Sequence, residues 1–160
     1  MSDTLEEIKL NLKNDKVKFE AYSTAHPDMK IFFDYKQPIG DGNGFNGLEL
    51  LLLSLSGCSA TAVVHLLKKM KKEVAEFKVF AKGERTSAPP VKFKKIKLVF
   101  VLGSTNTTIE ELKKCISMSE DSVCPVWQMI KNNVEVETEA QVVQGGLEPT
   151  ILSLSGKDAL

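Results

Sequence analysis

The sequence predicts an α+β protein, a single domain over residues 1–160 with elements in the order βββ-α-ββ-αα-β, on three observations. Segments of period-two alternation occupy both ends of the chain. One long apolar stretch, Gly47 to Lys72, carries a helical period instead. Glycine, proline and asparagine fall between the segments and punctuate them.

The elements follow in order. Ile8, Leu10 and Leu12 alternate with polar residues, as do Val17, Phe19 and Ala21, with Asn14-Asp15 between them. This spacing predicts a hairpin with a two-residue turn. Residues 23–28, with His26-Pro27, read as a loop, and Met29 to Tyr35 as a third strand. Residues 1–46 therefore form a β-meander. Its exit is broken by Pro38, Gly40, Gly42 and Gly44. A ββααβ half occupies residues 77–143. Phe77, Val79 and Ala81 alternate in its first strand. Ile96, Leu98, Phe100 and Leu102 share a face of the second. Thr107 with Glu110, or Thr108 with Glu111, offers a capping box for a helix carrying Ile109, Leu112 and Ile116. Ser119 to Ser122 interrupts that helix, and Val123-Cys124-Pro125 opens a short second one, proline being tolerated in a first turn. The last strand places Glu135, Glu137 and Glu139 opposite its apolar face, available to Lys95 or Lys97 across the sheet. Residues 144–160 form a tail without a pattern.

The central helix, residues 47–72, is apolar all round, the mark of a buried helix. Its uncharged run, Leu50 to Val64, is shorter than the roughly 20 residues of a membrane span. Ser56-Gly57-Cys58-Ser59-Ala60 forms a small-residue patch at its middle. Six strands of one chain cover so apolar a helix poorly, so the patch predicts a second copy packed against it, a homodimer.

Composition excludes several function classes. With 21 basic and 21 acidic residues the formal net charge is zero, which gives no reason to expect nucleic acid or an anionic membrane as partner. Residues 68–100 are basic, with eleven Lys or Arg against three Asp or Glu. Only Arg85 of the whole chain is an arginine, the residue suited to forked phosphate contacts. The glycines fit no nucleotide fingerprint. Three cysteines and an acidic N-terminus with no apolar leader point to the cytosol, where a disulfide is transient.

Chemistry is sought at the cysteines. Cys58 lies mid-helix, where a kink at Gly57 would expose N–H groups and Ser56, Ser59 and Thr61 supply hydroxyls. Both would favour the thiolate. Cys124 falls in the first turn of a helix, where the dipole acts the same way. Cys115 lacks an activating neighbour and reads as structural. No spacing suits zinc, and His65, two turns beyond Cys58, is too far along the helix for a Cys–His pair.

The run from Leu48 through Ser56-Gly57-Cys58-Ser59-Ala60 resembles the central helix of the OsmC/Ohr family, the osmotically inducible and organic-hydroperoxide-resistance proteins. Gly83-Glu84-Arg85, the Pro89-Pro90 turn, and Phe93 with Lys95-Ile96 match the following hairpin. Ser119-Glu120 and Val123-Cys124-Pro125-Val126 match the segment of the second cysteine. The resemblance implies an intertwined homodimer whose long helices are enclosed by sheets. It implies a thiol peroxidase acting on organic hydroperoxides, with Cys58 peroxidatic and Cys124 resolving. An external dithiol would reset the pair, with no bound cofactor or metal. The family's peroxidases hold the thiolate with an N-terminal arginine, yet residues 1–57 contain none. Their glutamate falls at Leu48, one place before Glu49. The sequence thus resembles the OsmC-like branch. Glu49, Arg85, Lys30 and Lys36 are the candidate supporting residues, and Cys58 is expected to react more slowly than in the arginine-bearing enzymes. The alternative is a stress protein that binds a hydrophobic or thiol ligand between subunits and turns peroxide over little or not at all.

Overall fold

The computed structural model describes residues 5–144. The elements are β1 (Ile8–Leu12), β2 (Phe19–Ser23), β3 (His26–Phe33), α1 (Gly47–Lys69), β4 (Glu76–Arg85), β5 (Phe93–Gly103), α2 (Ile109–Met118), a π-helical turn (Ser119–Val123), α3 (Pro125–Ile130) and β6 (Glu135–Val143). This is the expected α+β order, in two three-stranded sheets. The expected tail, residues 144–160, lies outside the described residues save for Gln144. The chain divides within α1 into two compact units, Met1–Leu51 and Leu52–Leu160.

In the first unit β1, β2 and β3 form an antiparallel meander. Its turns differ from the sequence reading. Leu12 pairs with Phe19, so residues 13–18 make a six-residue loop instead of a two-residue turn at Asn14-Asp15. The Asn14 side chain is the cause. Its Oδ1 accepts from the backbone N–H of Lys16 and Lys18, both at 3.1 Å, which folds the loop locally and consumes Val17. The tight connection lies instead at Thr24-Ala25, since Ser23 pairs with His26. The third strand therefore begins at His26 rather than Met29 and stops at Phe33. After it, the buried Asp34 carboxylate accepts N–H bonds from Tyr35, Asp41 and Asn43 at 2.8, 3.2 and 3.0 Å. These bonds, chiefly that from Asn43, hold its pKa below the usual carboxylate range. A Cβ at Gly40 would strike this carboxylate and the Tyr35 carbonyl, which is why glycine stands there.

Asn46 caps α1. Its Oδ1 accepts from Leu48 and Glu49 N–H at 3.0 and 3.1 Å, while Glu49 Oε2 accepts from Asn46 N–H at 2.8 Å. The helix ends at Lys69, three residues early. Lys71 takes a left-handed φ of 56°, and Lys72 N–H returns to the Leu67 carbonyl at 3.0 Å, closing the C-terminus. The Lys72 ammonium then bridges to Glu111 at 2.7 Å.

Within the second unit β5 is central, antiparallel to β4 and parallel to β6. The α2, π-turn and α3 segment is the crossover that a parallel pair requires. Ile96, Leu98, Phe100 and Leu102 are wholly buried on the predicted face of β5. On the other side Lys95 pairs with Glu135 and Glu137, and Lys97 with Glu139 at 2.8 Å. Two lysines of the basic stretch are thus answered by a carboxylate ladder on β6, and Lys78 and Lys94 by Glu76 and Glu84 of β4. Gly83 in β4 leaves room for the Phe93 ring.

The all-round burial expected of α1 is not met within one chain. Leu55, Ser59, Ala62, Val63, Leu66 and Leu67 are buried and form one helical stripe. Only 28% of its most apolar window is buried, although by length and composition the helix could cross a membrane. Leu53 and, in the meander, Ile8, Leu10, Leu12 and Met29 are each more than half exposed.

Of the two capping boxes offered by the sequence, the structure uses Thr108 and Glu111, with Glu111 N–H donating to Thr108 Oγ1 at 3.3 Å and Thr108 N–H to Glu111 Oε2 at 3.0 Å. Thr108→Ala should lower unfolding free energy by about 1 kcal/mol. Urea titration would show this as a lower midpoint with an unchanged slope.

Candidate active site

Cys58 and Cys124 are 66 residues apart and in contact, with Sγ to Sγ 2.8 Å and the Cys124 thiol donating. Both are free thiols. Each reaches this position for a local reason. Cys58 lies on the uninterrupted α1. Gly57 introduces no kink, and a Cβ there would meet open space, so the N–H groups expected from a break are not freed. The Thr61 hydroxyl donates to the Gly57 carbonyl at 2.9 Å and is turned away from the sulfur.

Cys124 is the N-cap of α3, one place before its first turn. Pro125 biases the residue before it away from helical dihedrals, and Cys124 sits at φ −86°, ψ 109°. Its N–H bonds the Ser119 carbonyl at 2.9 Å, the long reach of a π turn, so the predicted interruption at Ser119 to Ser122 is a wider helical turn. The sulfur itself caps α3, accepting from Trp127 N–H at 3.4 Å. It also accepts from the Ser59 hydroxyl at 3.7 Å. Ser59 therefore faces Cys124, not Cys58 as the sequence suggested.

Burial pushes the Cys58 thiol above its ordinary pKa, and the neighbouring Cys124 adds to the rise. A backbone N–H from Val126 acts in the opposite direction. Over Cys58 opens a cavity of about 350 Å³ lined by Gly57, Cys58, Thr61, Ala62, His65, Val123 and Pro125. His65 thus belongs to the same cavity. The seven-residue spacing returned it to the same helix face, a signal visible in the sequence. Val126 N–H had no such signal, being a backbone group placed by the crossover.

The other candidates are placed within their own units. Glu49 is held by the cap of α1, and Lys30 pairs with Glu20 at 3.3 Å within the meander. Lys36 lies in the loop after β3, where its carbonyl accepts from Gly40 N–H. Arg85 ends β4 and lines a different cavity with Thr86, Pro90 and Lys94. Cys115 is buried on α2, its sulfur 3.6 Å from that of Met70. Among the described residues no cluster of three metal-ligating side chains occurs.

The family profile described as OsmC-like protein matches residues 40–139, from the loop before α1 to within β6. The chain belongs to the OsmC-like protein family. This OsmC-like chain is 27% identical over 96 residues to Protein YhfA of Escherichia coli K12, across 60% of its own length and 72% of that protein. A hypothetical protein from Aquifex aeolicus VF5 superposes with a TM-score of 0.78 at 26% identity, over 90% of this chain and 100% of the other. An organic hydroperoxide resistance protein OsmC from Legionella pneumophila, described as a predicted redox protein, superposes at 0.65 with 17% identity, over 89% and 100% of the two chains. That likeness is one of fold. The OsmC/Ohr fold expected from the sequence is thereby established.

Because thiolate is the reactive form, a raised Cys58 pKa leaves mostly thiol at neutral pH. The thiolate fraction then grows as pH rises. Alkylation of Cys58 by iodoacetamide should therefore still be accelerating above about pH 8.5, where an ordinary thiol is half ionised. A plateau reached by that pH would contradict the effect of burial.

Proposed function

We propose that this protein is a thiol-dependent peroxidase that reduces organic hydroperoxides through Cys58 and Cys124. The 2.8 Å contact between the two sulfurs carries the reading. Cys58, reached through the cavity, attacks the terminal peroxide oxygen. An S–O bond forms, the O–O bond breaks, and the alkoxide leaves as the alcohol with the proton given up by the thiol. Cys58 is then a sulfenic acid. Cys124 attacks its sulfur, the S–O bond breaks, and the hydroxyl leaves as water with the Cys124 proton. An external dithiol reduces the disulfide by exchange and needs no bound cofactor. Cys124 is already in place, so the second step needs little chain movement.

The cavity favours an organic over an inorganic peroxide, since Ala62, Val123 and Pro125 offer an alkyl group apolar contact. The proposed setting is a cytoplasmic stress response without nucleic acid or membrane as partner. A homodimer completes it, because the exposed apolar side chains of the meander and of α1 gain most by covering one another in a second copy. The supporting roles of Glu49, Lys30, Lys36 and Arg85 belong to that assembly. One observation favours a second reading, a ligand-binding protein with little turnover. Among the described residues no lysine or arginine lines the cavity, where burial raises the Cys58 pKa.

Cumene hydroperoxide consumption with dithiothreitol separates the two. The wild type should consume it catalytically and Cys58→Ser should not. Cys124→Ser should accumulate a sulfenic acid at Cys58 trappable by a dione. Peptide mapping after mild oxidation should recover a Cys58–Cys124 disulfide with Cys115 free. Absence of turnover in the wild type would leave the binding reading. Sedimentation at micromolar concentration should give twice the chain mass, and a compact monomer would rule out the dimer.

A further inference from the structure

We propose that Ser59 is a positioning residue for the second half of this reaction. Its hydroxyl holds the Cys124 sulfur against Cys58 and stabilises the charge that develops there as Cys124 becomes the nucleophile. The inference rests on the Cys58–Cys124 reading and adds a residue to it.

Ser59 and Cys124 are both wholly buried. A serine inside a helix commonly bonds back to a carbonyl of the preceding turn, and Ser56 and Thr61 of the same helix do so. The Ser59 hydroxyl instead crosses to Cys124 Sγ at 3.7 Å. Trp127 N–H approaches the same sulfur at 3.4 Å. Two donors therefore converge on Cys124, and its own S–H points at Cys58. A buried sulfur that must shed its proton pays for desolvation unless donors are already aimed at it. The backbone donor is fixed by α3. Ser59 supplies the side-chain donor, on the helix that carries Cys58, so one rigid element positions both the sulfur attacked and the sulfur attacking.

The step balances as thiol–disulfide exchange. Cys124 attacks a sulfur-bound Cys58, the S–S bond forms, the leaving group departs with the electron pair, and the Cys124 proton is released. An aromatic disulfide reagent isolates this step. It first forms a mixed disulfide on Cys58 and releases one coloured aromatic thiolate. Attack by Cys124 then releases a second. Because the reagent replaces the peroxide, the result does not depend on hydroperoxide being the substrate. Besides the pair itself, the ionisable side chains on the nearby stretches of the elements that carry it are His65 on α1, which lines the cavity, and Glu120 and Asp121 on the π turn. Ser59→Ala replaces none of these residues.

The experiment is stopped-flow release of the aromatic thiolate from the full chain in a Cys115→Ala background, with and without Ser59→Ala, across pH. Alanine is the better helix former, and equal melting curves would verify the fold. The first release should keep its rate. The second should slow on the order of tenfold, the loss of one hydrogen bond to a charged group, and its pH profile should move to higher pH. A second release at the wild-type rate with an unmoved profile would overturn the proposal. Equal slowing of both releases would also do so, by revealing a general packing role.

Discussion

The site depends on how the chain passes from α2 into α3. After Met118 the helical ladder widens into a π turn, and Pro125 then bars its continuation. Cys124 is left between the two with extended dihedrals and its N–H tied back to Ser119. That geometry pushes its sulfur out of the helical path and onto α1. A regular α-helix through this segment would rotate residue 124 elsewhere and separate the two thiols. The interruption is therefore part of the site.

The second constraint is the two-sidedness of α1. One stripe from Leu55 to Leu67 belongs to the core of the chain, and Ser59 lies within it. The neighbouring stripe through Gly57, Thr61 and His65 is exposed and forms one wall of the cavity. Cys58 stands at the border of the two. It is buried enough for desolvation to raise its pKa, and open enough for a small molecule to reach it. The same border explains the division of hydroxyls. Ser59 faces inward to Cys124, while Thr61 bonds its own helix.

Charge is arranged to be quiet. The basic middle of the sequence becomes β4 and β5, and the acidic last strand lies parallel beside β5. Lys95 and Lys97 are answered by Glu135, Glu137 and Glu139. These pairs are exposed and contribute little stability. They do reduce the positive field that a run of lysines would otherwise present. Among the described residues no lysine or arginine lines the cavity over Cys58, and the hydrogen bonds identified at the two sulfurs come from Val126 N–H, Trp127 N–H, the Ser59 hydroxyl and the Cys124 thiol.

The sequence by itself determined the element order, the face of β5 that is buried, the Lys–Glu pairing across β5 and β6, and the two cysteines worth attention. These are legible because they rest on local periodicity, on a proline, and on charges at matching intervals. The loop at residues 13–18 departs from the two-residue turn that the alternation predicts because a side chain, Asn14, competes with the turn and no period records that. Only the tertiary structure decided that β6 runs parallel to β5, that α1 is covered on one side, and that Ser59 serves Cys124. It also decided that Cys58 and Cys124 meet. Contacts across 65 and 66 residues depend on the path of the crossover, which no local window contains.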